Sequence, residues 1–511
     1  MNFDQSRVGY HFKQICARPH DAQQEDAVRE YIAEVIKANP RLTLDYYEPA
    51  ATGPGKRVIV ASKPPDPGME TKPTVILQAH LDMVCIPPDR IQFPLNLMTY
   101  KDQSGVEWLK AGGFTNEDGT TLGADDGIGV AAALAILEDT SLKSGRIECF
   151  FTVQEETDMG GAHYFDPQIL SGRIFINLDA EDLTEITYGA AGGMFTTFHT
   201  DMPVRELQVG TTCIGIAISG LKGGHSGVNI HEGRANAIQL MARLLVELKK
   251  QGHCRYNIVK MNGGSKKNAI PDSITAWLAV REDDVPLLGS DIERIFSSLK
   301  SEYKIVEPGM KYELKRSAGE RKCLDEASTD KLVGLLLAIP HGVFKMLAGN
   351  SPGTPQVVET STNLAIIETS DNGNNQVSVT IRCCHRSAFS GALDWVRHIH
   401  EAIAAAFQID IDPVTDDDWY PAWDPDEDSK LLALAREVYR EKFGSKFTST
   451  VIHAGLEPGY VVDKYRGDHP MDCISIGPTL KDPHTWNERL DTGSVMDFYD
   501  CLIRLLKAVN R

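Results

Sequence analysis

Apolar residues recur at helical spacing between positions 25 and 36, where Val28, Tyr31, Ile32, Val35 and Ile36 mark one face of a helix. A β-branched run, Val58-Ile59-Val60, follows a stretch punctuated by proline and glycine and predicts a strand. Three more runs of strand length lie at 74–77, 147–153 and 174–178, and 127–137 between the first two is helix-like. Strands alternating with helices predict a mixed α/β layer architecture.

The pattern changes near Thr196. Residues 212–219 alternate, 235–248 carry a long helical pattern, 273–280 are strand-like and 377–382 alternate again. This predicts a second, α+β domain inserted in the first. Helical patterns at 395–407 and 431–443, a strand at 473–476 and an amphipathic helix at 495–509 predict a return to the first domain. The expected division is 1–192 with 399–511 for the discontinuous first domain and 193–398 for the insert. The acidic stretches at 416–418 and 424–428 read as exposed loops.

A length of 511 residues suits two large domains, and 42% hydrophobic with 24% charged residues is the composition of a soluble globular chain. Fifty-two basic against 71 acidic side chains leave a formal charge of −19. Such a field repels polyphosphates and anionic bilayers, which argues against nucleic acid or a membrane as partner. The opening MNFDQSRVGYHFKQICARPHD has neither a basic n-region nor an apolar run, and no stretch of about 18 apolar residues occurs, so a cytoplasmic protein is expected. Ten scattered cysteines without a CxxC pair read as reduced, mostly buried thiols.

Four short motifs follow predicted strands or turns. In Gln78-Ala-His80-Leu-Asp82, period-two geometry lets Asp82 point the same way as His80 and hold its imidazole in one tautomer. A structural histidine is the simpler reading of that motif taken alone. In Gly123-Ala-Asp125-Asp126-Gly-Ile-Gly a glycine-rich turn enters a helix; Asp125 has two oxygens with which to bridge ions, and Asp126 suits a helix cap. Gln154-Glu155-Glu156 sets two carboxylates side by side at a strand end, an arrangement that a cation or a shared proton relieves; Glu156 reads as a metal ligand and Glu155 as the acid/base. Asn177-Leu-Asp179 closes the next strand with another carboxylate. Counted together, the four fit the tendency of ligands to gather at the carboxyl edge of an α/β sheet.

The ordered set of these motifs with Gly223-Gly-His225-Ser-Gly, Gly233-Arg-Ala-Asn236-Ala and Asn268-Ala-Ile-Pro271 resembles the M20 metallopeptidases, and within them the aminoacyl-histidine dipeptidases. Val358-Glu-Thr-Ser-Thr-Asn363-Leu, Ile452-His-Ala-Gly-Leu-Glu457 and Ile476-Gly-Pro478-Thr extend the likeness over nearly the whole chain. The resemblance implies a zinc-peptidase-like catalytic domain with a lid and dimerisation insert. It implies two divalent ions, zinc first with manganese and cobalt as alternatives, one held by His80 and Asp179, the other by Glu156 and a late histidine, with Asp125 bridging. By position that histidine is His484, although Asp482-Pro-His484-Thr-Trp departs from the family's usual Gly-Ala-His-Ser-Pro; His453 is the alternative. His225 is then the lid histidine that reaches a substrate carbonyl, across a homodimer or by closure, and Asn268, Asn363 and Arg386 are the polar lid positions that bind the peptide.

The activity implied is hydrolysis of Xaa-His dipeptides, with Glu155 as general base and Asp82 behind His80. A relative acting on another dipeptide or an N-acyl amino acid, and a non-catalytic metal- or peptide-binding relative, are the alternatives. No GxSxG elbow is present to support a serine nucleophile.

Overall fold

The structure is a computed structural model that describes residues 2–317, 319–347, 357–415, 418–467 and 469–511. Asp416 and Asp417 of the acidic run lie outside the described residues; Asp424, Asp426 and Asp428 are exposed, as loop residues of that composition should be. The chain divides into two compact units, residues 1–190 with 423–452 and 456–511, and residues 191–422 with 453–455. The chain re-enters the first unit at Trp423, later than the expected 399. The helix Ser390–Phe407 accounts for the difference, because it packs on the strands Gly192–Glu206 and Gln376–Ser387 of the second unit.

The first unit is built on an eight-stranded mixed sheet in the order Thr43–Tyr46, Ile59–Lys63, Ile147–Thr152, Val75–His80, Ile174–Asn177, Asp472–Ser475, Glu185–Ala190, Thr448–Ile452. Its four central strands run parallel and are buried along nearly their whole length, as strands covered on both faces are. Their register pairs His80 with Thr152 and Gln78 with Asn177, so the chain leaves neighbouring strands at one level. Everything carried just beyond those strand ends therefore meets at one edge.

The helix Ala124–Glu138 lies beneath that edge. Its sequence is apolar on every side and its residues are almost all buried, packed against the sheet and the helix Arg7–Cys16, which belongs to a core helix rather than an amphipathic surface one. Asp126 accepts the Gly129 N–H (3.1 Å) as a cap, and a Cβ at Gly129 would come within 2.3 Å of that carboxylate, so only glycine admits the contact. Leu134 sits fully buried in the middle of this helix. Leu134→Ala is expected to lower the stability of the first unit by about 2–5 kcal/mol, read from the midpoint of urea unfolding at unchanged m-value.

The second unit carries an antiparallel sheet whose main path runs Lys311–Ser317, Thr211–Ser219, Ile274–Arg281, Tyr256–Gly263, Val358–Asp371, Gln376–Ser387, Gly192–Glu206, Lys322–Leu324. The helices Ala237–Gln251, Val285–Glu302, Glu326–Ala338 and Ser390–Phe407 contribute to its buried core, the α+β build expected of the insert. The ten cysteines are all free thiols, and all but Cys85 are buried. No helix among the described residues is long and apolar enough to cross a membrane.

Candidate metal centre

His80 ends its strand fully buried, with Nδ1 3.0 Å from the Asp82 carbonyl oxygen, and that contact orients the ring. Its Nε2 then faces Asp125 Oδ1 at 3.0 Å and Asp179 Oδ1 at 3.6 Å. The Asp82 carboxylate is 3.7 Å from the imidazole but accepts the backbone N–H groups of Glu155 (3.0 Å) and Glu156 (3.1 Å). In the structure it is the Asp82 backbone carbonyl, not its carboxylate, that contacts the imidazole; the carboxylate instead anchors the start of the one-turn helix Glu155–Asp158 and fixes where both glutamates begin.

Asp125 follows Gly123, whose φ of +68° is a left-handed conformation that glycine adopts without cost, and Asp125 itself is non-helical at φ −84°, ψ 107°. Its second oxygen lies 3.1 Å from His484 Nε2, which in turn lies 2.9 Å from Glu156 Oε1. Among the described residues, three overlapping sets of side chains each bring candidate ligand atoms within 4.8 Å of one another: His80, Asp125 and Asp179; Asp125, Glu156 and His484; and His80, Glu155 and Glu156. Asp125 is common to the first two. His453 belongs to none of these sets; its Nε2 is 2.7 Å from Ser361 Oγ.

The electrostatics of this edge are those of carboxylates in excess. Burial, together with the charges of Asp179, Glu156 and Glu457, raises Glu155 well above the ordinary carboxylate range despite His80 nearby. Burial pushes Asp179 up to about 7 against the pull of His80, and Glu457 up to about 8. Burial would raise Asp125 as well, yet hydrogen bonds from His484 and His80 hold it well below the usual range. Hydrogen bonds to Asp125 and Glu156 carry His484 up to about 11. Asp125, Glu155, Glu156 and Asp179 outnumber the two imidazoles, and oxygen and nitrogen donors of this kind suit divalent zinc, manganese or cobalt. The donor set therefore fits a bound pair of cations, which neutralise the surplus charge.

In the second unit His225, Arg386 and Tyr420 come together. Backbone N–H groups of Gly227 (3.3 Å) and Val228 (3.1 Å) donate to His225 Nδ1, which leaves the proton on Nε2. Burial and the neighbouring guanidinium lower this histidine to about 4, so it is neutral at ordinary pH. Arg386 Nη2 is 3.2 Å from that Nε2, and two donors converge there. Arg386, 5% exposed, is also held by the Tyr420 hydroxyl at 2.5 Å. Asn268 lies beside this group through its carbonyl, which accepts the Ser226 N–H (2.9 Å). Asn363 donates to the Ala269 carbonyl (2.7 Å).

Two buried acids escaped the motif reading. Glu457 accepts hydrogen bonds from Gln78 and Thr152 behind His80, and Glu488 accepts four backbone N–H groups of the turn before Asp125. Glu457 stands in a motif quoted above, and Glu488 stands four residues after His484; proximity to the late histidine was the available signal.

Imidazoles and carboxylates in overlapping sets at the carboxyl edge of an α/β sheet are the build of a divalent-metal enzyme. Comparison with known proteins gives the particular family. The profile described as a peptidase dimerisation domain matches residues 216–307. The chain is 34% identical over 501 residues to the cytosol non-specific dipeptidase of Escherichia coli strain K12, spanning 98% of this chain and 96% of that one. The crystal structure of aminoacylhistidine dipeptidase from Vibrio alginolyticus superposes with a TM-score of 0.83 at 31% identity, covering 99% of this chain and 98% of that one. Aminopeptidase PepT from Bacillus cereus ATCC 10987 shares the fold, with a TM-score of 0.52 at 14% identity over 99% of this chain and 98% of that one. The chain belongs to the M20 metallopeptidases, in the aminoacyl-histidine dipeptidase group, as the ordered motifs led one to expect.

Proposed function

We propose that the chain is a cytoplasmic, homodimeric dipeptidase that hydrolyses Xaa-His dipeptides with two divalent ions, zinc first among them. The observation that carries the reading is the pair of ligand sets sharing Asp125: His80 and Asp179 on one side of it, Glu156 and His484 on the other. The first unit is then the catalytic domain and the second the lid and dimerisation domain, a division supported by the profile match at 216–307. The cytoplasmic assignment rests on the Escherichia coli relative, whose name places it in the cytosol.

When bound, the ions supply Lewis acidity, lowering the pKa of water and polarising a carbonyl. Glu155, whose carboxylate is made more basic by burial and neighbouring negative charge, takes the proton from the attacking water and passes it to the departing amine. Asp82 sets where that carboxylate begins by accepting its backbone N–H. His225, neutral with its proton on Nε2, donates to the oxygen that becomes negative in the tetrahedral intermediate. Arg386, oriented by Tyr420, takes the terminal carboxylate, and Asn268 and Asn363 bind the peptide oxygens.

The test combines metal content with a substrate panel of β-alanyl-histidine, other Xaa-His and Xaa-Gly dipeptides and N-acetyl amino acids. About two divalent ions per chain, hydrolysis confined to free dipeptides, loss of activity with a chelator and its return on adding zinc are the expected results. Hydrolysis of N-acetyl amino acids alone would move the chain to the amidohydrolase alternative. Metal without any hydrolysis would favour a binding protein.

A further inference from the structure

We propose that Glu488 is a positioning residue, a buried carboxylate that locks the turn carrying Asp125 to the loop carrying His484. The inference rests on the metal-centre reading above and assigns how two of its ligands, far apart in the sequence, are kept in register.

Glu488 is 2% exposed and has no ion-pair partner among the described residues. Its Oε2 accepts the N–H groups of Leu122 (2.7 Å) and Gly123 (3.1 Å), and its Oε1 those of Ala124 (2.8 Å) and Asp125 (3.4 Å). These are successive donors at the start of a buried helix, where the first backbone N–H groups have no acceptor within the helix. A carboxyl group with two oxygens meets all four, and in doing so fixes the backbone from which the Asp125 side chain departs. The other end of the tie is equally constrained. His484 and Asp482 both have left-handed backbones, φ +57° and +55°, a conformation that residues with a Cβ hold only when their surroundings require it. Asn487 donates to Asp482 (2.7 Å) and accepts from Lys110 (2.8 Å), and Arg489 pairs with Asp482, which staples the short loop around His484. Glu488 sits inside that staple. One side chain thus joins two segments separated by 363 positions whose ligand atoms, Asp125 Oδ2 and His484 Nε2, stand 3.1 Å apart.

Glu148 provides a control away from the site. It is also buried (1% exposed) and accepts backbone N–H groups, those of Ser171 (3.0 Å) and Gly172 (3.1 Å), and unlike Glu488 it pairs with an arginine, Arg146 (3.0 Å); it stands near the start of the strand whose far end carries the site. The experiment titrates metal-free full-length protein with Zn2+ alone, by calorimetry, for wild type, Glu488→Gln, Glu488→Asp and Glu148→Gln, with Tm and kcat recorded for each. Glu488→Gln keeps the size but turns an N–H donor towards N–H donors. It is expected to weaken zinc binding by about 10–100-fold, the usual cost of losing a partner that orients a ligand, and to lower kcat more than it raises KM. Glu488→Asp keeps the charge and is expected to recover part of that loss. Glu148→Gln is expected to lower Tm comparably while binding zinc as wild type does.

Wild-type affinity in Glu488→Gln would overturn the proposal, as would equal weakening in Glu148→Gln, which would make the effect one of general stability. If Glu488→Gln does not fold, Glu488→Asp decides: reduced affinity in a folded chain supports the link and undiminished affinity rejects it. A wild-type chain that binds no zinc would remove the metal centre itself, and this inference with it.

Discussion

Glu155→Gln is expected to retain its full complement of metal, its Tm and its KM while losing about 10²–10⁴-fold in kcat, the range over which a positioned general base acts. Glutamine matches glutamate in shape and keeps the backbone N–H that donates to Asp82, so the local helix is undisturbed. What it lacks is a site that can take a proton from water. The environment makes Glu155 suited to that work: burial and the charges of Asp179, Glu156 and Glu457 raise its affinity for a proton above that of an ordinary glutamate. Glu155 also belongs to one ligand-capable set, with His80 and Glu156, so metal content must be measured beside the rate. A variant that has lost one ion would make Glu155 a ligand, and one with an undiminished rate would dismiss it as the base.

Most residues at this centre were legible because they sit at, or within four positions of, the end of a strand whose apolar run is easy to recognise. Val75–His80, Ile147–Thr152 and Ile174–Asn177 are buried on both faces, and polar residues that break such runs stand out: His80, then Glu155 and Glu156, then Asp179. His484 was harder, since its loop departs from the family's usual sequence, yet it is the late histidine that the structure gathers with Asp125 and Glu156. Glu488 had no pattern to betray it. A carboxylate that binds backbone N–H groups answers to the path of the main chain, which side-chain periodicity does not encode.

The second unit was less legible for a related reason. The strand Val358–Asp371 is buried along its first ten positions, but these include Glu359, Thr360, Ser361, Thr362 and Asn363, so hydrophobicity does not mark it as interior. Its polar side chains are instead paired within the unit, Thr362 with His385 (2.8 Å) and Thr360 with Ser387 (2.9 Å). The helix Ser390–Phe407 was read only from position 395 on, its apolar face did not say which sheet it would cover, and the expected return at 399 cut through it.

Asp125→Asn is expected to have the widest consequence of any single substitution at the centre, because Asp125 alone joins the two principal ligand sets. Its two oxygens stand 3.0 Å from His80 Nε2 and 3.1 Å from His484 Nε2, so each faces a different set. Asparagine keeps one carbonyl oxygen and replaces the other with an amide that donates hydrogen bonds, removing both the negative charge and one potential bridging atom. Losing the bridge should weaken both ions together, by more than the 10–100-fold that follows the loss of an outer partner. His484→Ala removes a ligand from only one set, and is expected to leave about one tightly held ion per chain. Side-by-side zinc titrations, with elemental analysis after dialysis, separate the cases: fewer than one ion in Asp125→Asn against about one in His484→Ala. Dipeptide hydrolysis should be lost in both. Two tightly held ions in Asp125→Asn would mean that this carboxylate does not bridge, and that the surplus charge at the sheet edge is balanced in some other way.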